Sequence, residues 1–123
     1  MSKALILFAH GSRDPGWAEP FERLAERVRS SAKGQDVRLA YLEIMQPTLE
    51  AAAAAAVSAG ASSLGIVPIF LAQGGHVRRD LAALVEGLKR QHPKVQIECS
   101  PPAGEDDAVL RAIADFVLRE AGS

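Results

Sequence analysis

Short apolar runs and amphipathic stretches alternate strictly along this chain, and that alternation constrains its fold more than any other feature. Lys3 to Ala9 is nearly continuously apolar, as a strand covered on both faces must be. From Trp17 to Lys33, Phe21, Leu24, Ala25 and Val28 recur at helical spacing, with Glu19, Glu22, Arg23, Glu26, Arg27 and Arg29 on much of the other side. That pattern predicts an amphipathic helix, with Gly34 as its stop. Asp36 to Glu43 alternates as a second strand. Thr48 is the natural N-cap of a helix over Leu49 to Ala59, in which Ala51 to Ala56 are strong helix formers small enough for close packing on a sheet. Ser63 to Leu71 is a third apolar run; its Pro68 cannot donate to a ladder, so it is expected near the strand end or at a bulge. Asp80 to Arg90 carries Leu81, Leu84, Val85 and Leu88 on one helical face, and Lys94 to Cys99 alternates as a fourth strand. The last helix, Glu105 to Glu120, is expected to turn Val109, Leu110, Ile113, Phe116 and Val117 to the core. Its opening acids Glu105, Asp106 and Asp107 suit the positive end of the helix dipole.

Four strands alternating with four helices imply a parallel sheet, right-handed crossovers and helices on both faces. The expected architecture is a three-layer α/β/α domain over residues 1–123, with strand order 2-1-3-4 by analogy with flavodoxin-like sheets. A chain of 123 residues fits one domain with a core of its own. With 48% hydrophobic residues, general disorder is excluded. The net charge of -1 offers no electrostatic case for nucleic acid. A single cysteine, Cys99, rules out an internal disulfide framework and fits a reducing compartment, where it is expected to serve as a small buried hydrophobe. Ala4 to Ala9 is too short for a signal core, and no run approaches the roughly 20 apolar residues of a membrane span. The expectation is a cytoplasmic protein without a membrane segment.

Two histidines stand out against this frame. His10 follows the first apolar run and precedes Gly11-Ser12; His76 follows the third, after Gly74-Gly75. In the expected topology both leave the same rim of the sheet, beside the point where strand order reverses, which is where open α/β sheets bind ligands. Imidazole is the commonest protein ligand for transition metals and carries protons near neutral pH. Glu43 ends the second strand at the same rim. Two imidazoles and a carboxylate suit a divalent transition metal with coordination positions to spare, and the carboxylate could equally accept a proton. Arg13, Arg78 and Arg79 flank the two histidine segments and can grip carboxylates or phosphates in bidentate fashion; Ser12 can do so more weakly. Gly11, Gly74 and Gly75 clear space for a ligand. Trp17 either covers the pocket or packs, and His92 is expected at the opposite rim without a role. No Walker sequence, Gly-x-Gly-x-x-Gly, Cys-x-x-Cys or His-Glu-x-x-His is present.

Three blocks then carry a resemblance. They are Leu7-Phe-Ala-His10-Gly-Ser-Arg-Asp-Pro15, Tyr41-Leu-Glu43 with Gln46-Pro-Thr-Leu49, and Val67-Pro-Ile-Phe-Leu71 running to Gly74-Gly-His76-Val-Arg-Arg-Asp80. In this order and spacing the chain resembles the short-form sirohydrochlorin chelatases of the class II chelatase family, whose reference member is a cobalt enzyme. The resemblance covers almost the whole chain, least distinctly from Pro101 onward. It implies insertion of a divalent metal into the tetrapyrrole sirohydrochlorin, in cobalamin or sirohaem biosynthesis. By motif position, His10 and His76 are implied to hold the incoming metal and take pyrrole protons, with Glu43 at the same site. The metal is a substrate, Co2+ first with Fe2+ and Ni2+ as alternatives, and no tightly bound cofactor is implied. Ser12, Arg13, Gly74, Gly75, Arg78 and Arg79 are the expected substrate contacts, since sirohydrochlorin carries many carboxylates. Short members form homodimers whose halves face each other across a cleft. The histidine-rich tract of some archaeal members is missing here.

Two rivals compete with this reading. A carrier could bind metal or tetrapyrrole without joining them. A histidine phosphatase also ends its first strand in a catalytic histidine, but its signature has arginine directly before His-Gly, where this chain has Ala9.

Overall fold

The computed structural model describes residues 2–122. Its element order is β1 (Lys3–Ala9), α1 (Glu19–Ser31), β2 (Asp36–Tyr41), α2 (Leu49–Ser58), β3 (Ser63–Pro68), α3 (Gly75–Gln91), β4 (Gln96–Cys99) and α4 (Asp107–Gly122). The four strands form one parallel sheet in the order β2-β1-β3-β4. The alternation of the chain thus becomes the expected α/β architecture.

Pleating sorts β1 into two sets. Ala4, Ile6 and Phe8 point into the main core with Leu64 and Ile66 of β3 and Ile97 of β4. Helices α2 and α3 close that face with Leu49, Ala52, Ala53 and Ala56, and with Leu81, Val85 and Leu88. The alanines are what let α2 sit this close to the strands, and Thr48 starts the helix as expected: its hydroxyl oxygen accepts the Ala51 N–H at 3.1 Å. On the other face Leu7 of β1 and Val37 of β2 pack under Ala25 of α1, with Leu5, Leu24, Val28 and Leu39 around them. Pro68 is the last residue of β3, where its missing donor leaves the ladder intact.

Several boundaries move. The first predicted helix is split into a 3-10 turn at Pro15–Ala18 and α1 proper, because the Asp14 carboxylate caps Gly16 and holds the tighter turn. The third helix begins at Gly75, not Asp80, so His76, Arg78 and Arg79 lie in its opening turns rather than in a loop before it. Strand β2 ends at Tyr41, which leaves Glu43 in the following bend. Cys99 is only half-buried, at the end of β4 against the main core; burial still pushes its thiol pKa up.

The largest correction concerns α4. Leu110, Ile113, Phe116 and Val117 were expected to face the core, yet they are 40% to 54% exposed, and α4 buries no residue. Periodicity in the sequence establishes an apolar stripe; it does not establish that the same chain covers it. No helix among the described residues is long and apolar enough to cross a membrane.

Candidate functional site

The site is built where β1 runs out. The Leu42 N–H donates to the Ala9 carbonyl at 2.8 Å, and the Glu43 N–H to the His10 carbonyl at 3.1 Å. These two bonds extend the β1–β2 pairing one step past the strands and set Glu43 beside His10. Gly11 follows at φ 97°, a conformation that side chains rarely adopt. A Cβ there would also collide with the Glu43 carbonyl oxygen. Glycine is therefore required at this position twice over, by backbone angle and by the approach of the Glu43 segment. Ile44 is itself left-handed, at φ 71°, which is costly for a β-branched residue. The strain sits in the bend that carries Glu43, a common address for functional residues.

His10 is half-buried, and its ring stacks on Phe70, with centroids 4.2 Å apart and planes inclined by 30°. Phe70 is 2% exposed and rests in turn on Phe8, at 5.9 Å. The imidazole plane is thus set by an aromatic pair rooted in the core. The sequence reading missed Phe70, although the strand register could have found it. Phe8 pairs with Pro68, so two residues further on His10 meets Phe70.

His76 is presented differently. Gly74 caps α3, and its carbonyl accepts the Arg78 N–H at 3.0 Å. His76 is the second residue of that helix and is exposed. Nothing crowds the Cβ position of Gly74, while the Arg79 guanidinium lies over Gly75. His10, Glu43 and His76 all stand at the carboxyl rim of the sheet. Among the described residues, however, no group of three or more His, Cys, Asp and Glu side chains comes together to hold a metal.

Arg23, Arg29, Arg38 and Arg111 each pair with a carboxylate. Among the described residues, Arg13, Arg78 and Arg79 have no such partner. They stay available for external anions. Arg78 lines a cleft of about 310 Å³ between α3 and the Ser100–Pro102 segment. Ser12 accepts the Asp14 N–H at 3.1 Å, which leaves its own O–H free to donate. Trp17 packs: its ring meets Phe21 at 4.6 Å and Tyr41 at 6.4 Å, beneath the bend that carries Glu43. Burial, helped by the Glu22 carboxylate, raises the Tyr41 pKa. His92 caps the far end of α3, at the opposite rim.

With this geometry in hand, residues 4–120 match the CbiX family model. This chain belongs to the CbiX family. A CbiX protein of known structure from Marinobacter aquaeolei is 36% identical, with a TM-score of 0.84 over 97% of both chains. A sirohydrochlorin cobaltochelatase from Methanosarcina acetivorans is 30% identical over 94% of this chain and 91% of its own length. A sirohydrochlorin ferrochelatase from Bacillus subtilis is 26% identical over 92% of this chain. The chain spans about half the length of several curated relatives it matches: 57% of the Methanopyrus kandleri cobaltochelatase and 43% of the Bacillus subtilis ferrochelatase. Membership in the CbiX family agrees with the three motif blocks, all of which fall inside the matched span.

Proposed function

We propose that this CbiX family member is a metal chelatase, a lyase that inserts a divalent metal into sirohydrochlorin, with Co2+ as the first candidate and Fe2+ and Ni2+ as alternatives. The observation that carries the reading is the match of nearly the whole chain to a family whose curated relatives are sirohydrochlorin cobaltochelatases and ferrochelatases. The reaction replaces two pyrrole N–H protons with one M2+ ion. Two N–H bonds break, the ring nitrogens bind the metal, and two protons leave. Neutral imidazoles suit both halves of this exchange, because they release a metal to a better ligand set and then accept protons.

In this reading His10 and His76 deliver the metal and take the protons. Glu43, held beside His10, receives a proton or steadies the ion. Arg13, Arg78 and Arg79, together with Ser12 and the open backbone at Gly74 and Gly75, bind the substrate carboxylates. A rim that grips a bent ring exposes nitrogen lone pairs and lowers the barrier. The chain works as a single domain, and a flat macrocycle is enclosed by two copies whose rims face each other as a homodimer. The exposure of His76, Glu43 and the rim arginines supports that reading, since one copy offers only an open half-site.

The test is an anaerobic assay with sirohydrochlorin and a panel of Co2+, Fe2+ and Ni2+, followed by the change in the visible spectrum. Insertion well above the spontaneous rate is expected, fastest with Co2+. Tight binding of metal or tetrapyrrole with no acceleration for any metal would establish a carrier instead.

A further inference from the structure

Outside α4, two large apolar side chains stay exposed among the described residues, Ile44 at 56% and Leu71 at 64%. Both stand at the carboxyl rim. Ile44 follows the end of β2 and Leu71 the end of β3, and these two strands flank β1 and so His10. Two interstrand spacings, about 10 Å, separate the strands that carry them.

Ile44 is held there at a cost. Its φ of 71° and the bond from the Met45 N–H to the Glu43 carbonyl, at 2.7 Å, make it the centre of a γ-turn of the rare, strained form. The turn is anchored on both sides. Leu42 packs against the main core and Met45 against the cluster of Ala9, Ala18 and Tyr41, while Ile44 joins none of the three core clusters. Folding gains nothing from a β-branched apolar residue at this point. Glycine would adopt the angle freely, and a polar side chain would suit the exposure. Strain of this kind clusters where it serves a function. The backbone of Leu71 is fixed as firmly. The Phe70 carbonyl accepts the Gly104 N–H at 2.9 Å, and a Cβ on Gly104 would collide with the Leu71 carbonyl.

The ligand that fits this rim has an apolar face and an anionic edge. The apolar pair beside His10 matches the face. Arg13, Arg78 and Arg79, without carboxylate partners among the described residues, match the edge. A tetrapyrrole with carboxylate arms has this form. We infer that Ile44 and Leu71 are the contacts on which the face of the macrocycle rests, one on either side of His10. They seat the ring so that its nitrogens, and not its edge, meet the imidazole. The inference rests on the chelatase reading for its substrate class and adds the residues that fix the seat of the ring.

The experiment titrates metal-free sirohydrochlorin into the full chain and reads binding from the visible spectrum, with circular dichroism and denaturation midpoints to confirm folding. Ile44→Thr keeps the β-branch and removes the apolar end; it should weaken binding about tenfold. Ile44→Leu removes the branch and keeps the apolar volume; it should bind as wild type does. Leu71→Asn, of similar size, should also weaken binding about tenfold. Salt should weaken binding overall by screening the arginines, while the ratio between wild type and Ile44→Thr stays constant, because an apolar contact is not screened. Wild-type affinity in Ile44→Thr or in Leu71→Asn would overturn the contact at that residue. Equal losses in Ile44→Thr and Ile44→Leu, or a ratio that falls toward one as salt rises, would show that the turn acts through its backbone or through displaced charges, and would overturn the seat. Each of these results leaves the chelatase reading standing. A wild type that binds sirohydrochlorin, loses affinity in these variants and never accelerates insertion would keep the seat and overturn the chelatase. A wild type that does not bind it at all would overturn both.

Discussion

His10 and His76 look alike in the sequence, each an imidazole beside glycines at the end of an apolar run, yet the fold treats them differently. His10 is half-buried, stacked on Phe70, and its carbonyl is tied to Glu43. His76 is exposed in the first turn of α3, with no ring contact among the described residues. The first is held by the core of its own chain; the second is presented outward, toward whatever closes on the rim. In the proposed reaction, His10 is the fixed partner and His76 the one that a bound substrate or second copy has to orient.

The largest expected effect would break this comparison outright. His10→Ala and His76→Ala should each lower insertion by about 10²–10⁴-fold, the range of a lost proton-transfer group, with the fold retained by circular dichroism. If either variant keeps full activity in the spectral assay, that residue leaves the proposed site. Gly11→Ala comes next, because it strains the left-handed backbone and drives the Glu43 segment off. It should cost about 1–3 kcal/mol from the backbone alone, read as a lower midpoint in denaturant, with insertion lost as well. A variant as stable as wild type would show that the His10–Glu43 approach is not required.

Phe70→Leu sharpens the contrast further. Losing the ring under His10 should cost about 1 kcal/mol beyond the lost burial and slow turnover more than it weakens substrate binding, with Phe70→Tyr restoring the rate. Equal effects on both parameters would reduce Phe70 to a core residue. The smallest effect is on pH. The thiol of Cys99 and the phenol of Tyr41 both have pKa values raised by burial, so the unfolded chain loses these protons first. Stability should fall as pH rises through the ordinary thiol range and again through the tyrosine range. Cys99→Ser should remove the first step in pH-dependent denaturation curves.

The strands and the rim address of both histidines were legible because each rests on a local signal, whereas the strand order came by analogy with flavodoxin-like sheets. The apolar run from Ala4 to Ala9, the Thr48 cap and the leucines of α3 act within a few residues. The start of α3 at Gly75 was hidden, because its first turn offers a single apolar residue, Val77, among His76, Arg78 and Arg79, and opens on two glycines. Phe70 was hidden for a different reason. Its meaning comes from the strand opposite, and only register puts it under His10.

The order of apolar and amphipathic segments determined by itself that this chain would be a parallel α/β sheet with His10, Glu43 and His76 at one edge, since backbone pairing and side-chain periodicity are short-range rules. Whether a given apolar stripe meets its own core was decided only in three dimensions. The stripes of α3 and α4 are equally clear on paper. One is buried because its connection returns it to the sheet. The other is left open: Gly104, before α4, is held so close to Leu71 that a Cβ would collide with the Leu71 carbonyl, and the helix that follows buries no residue; how a helix root packs is something no periodicity records.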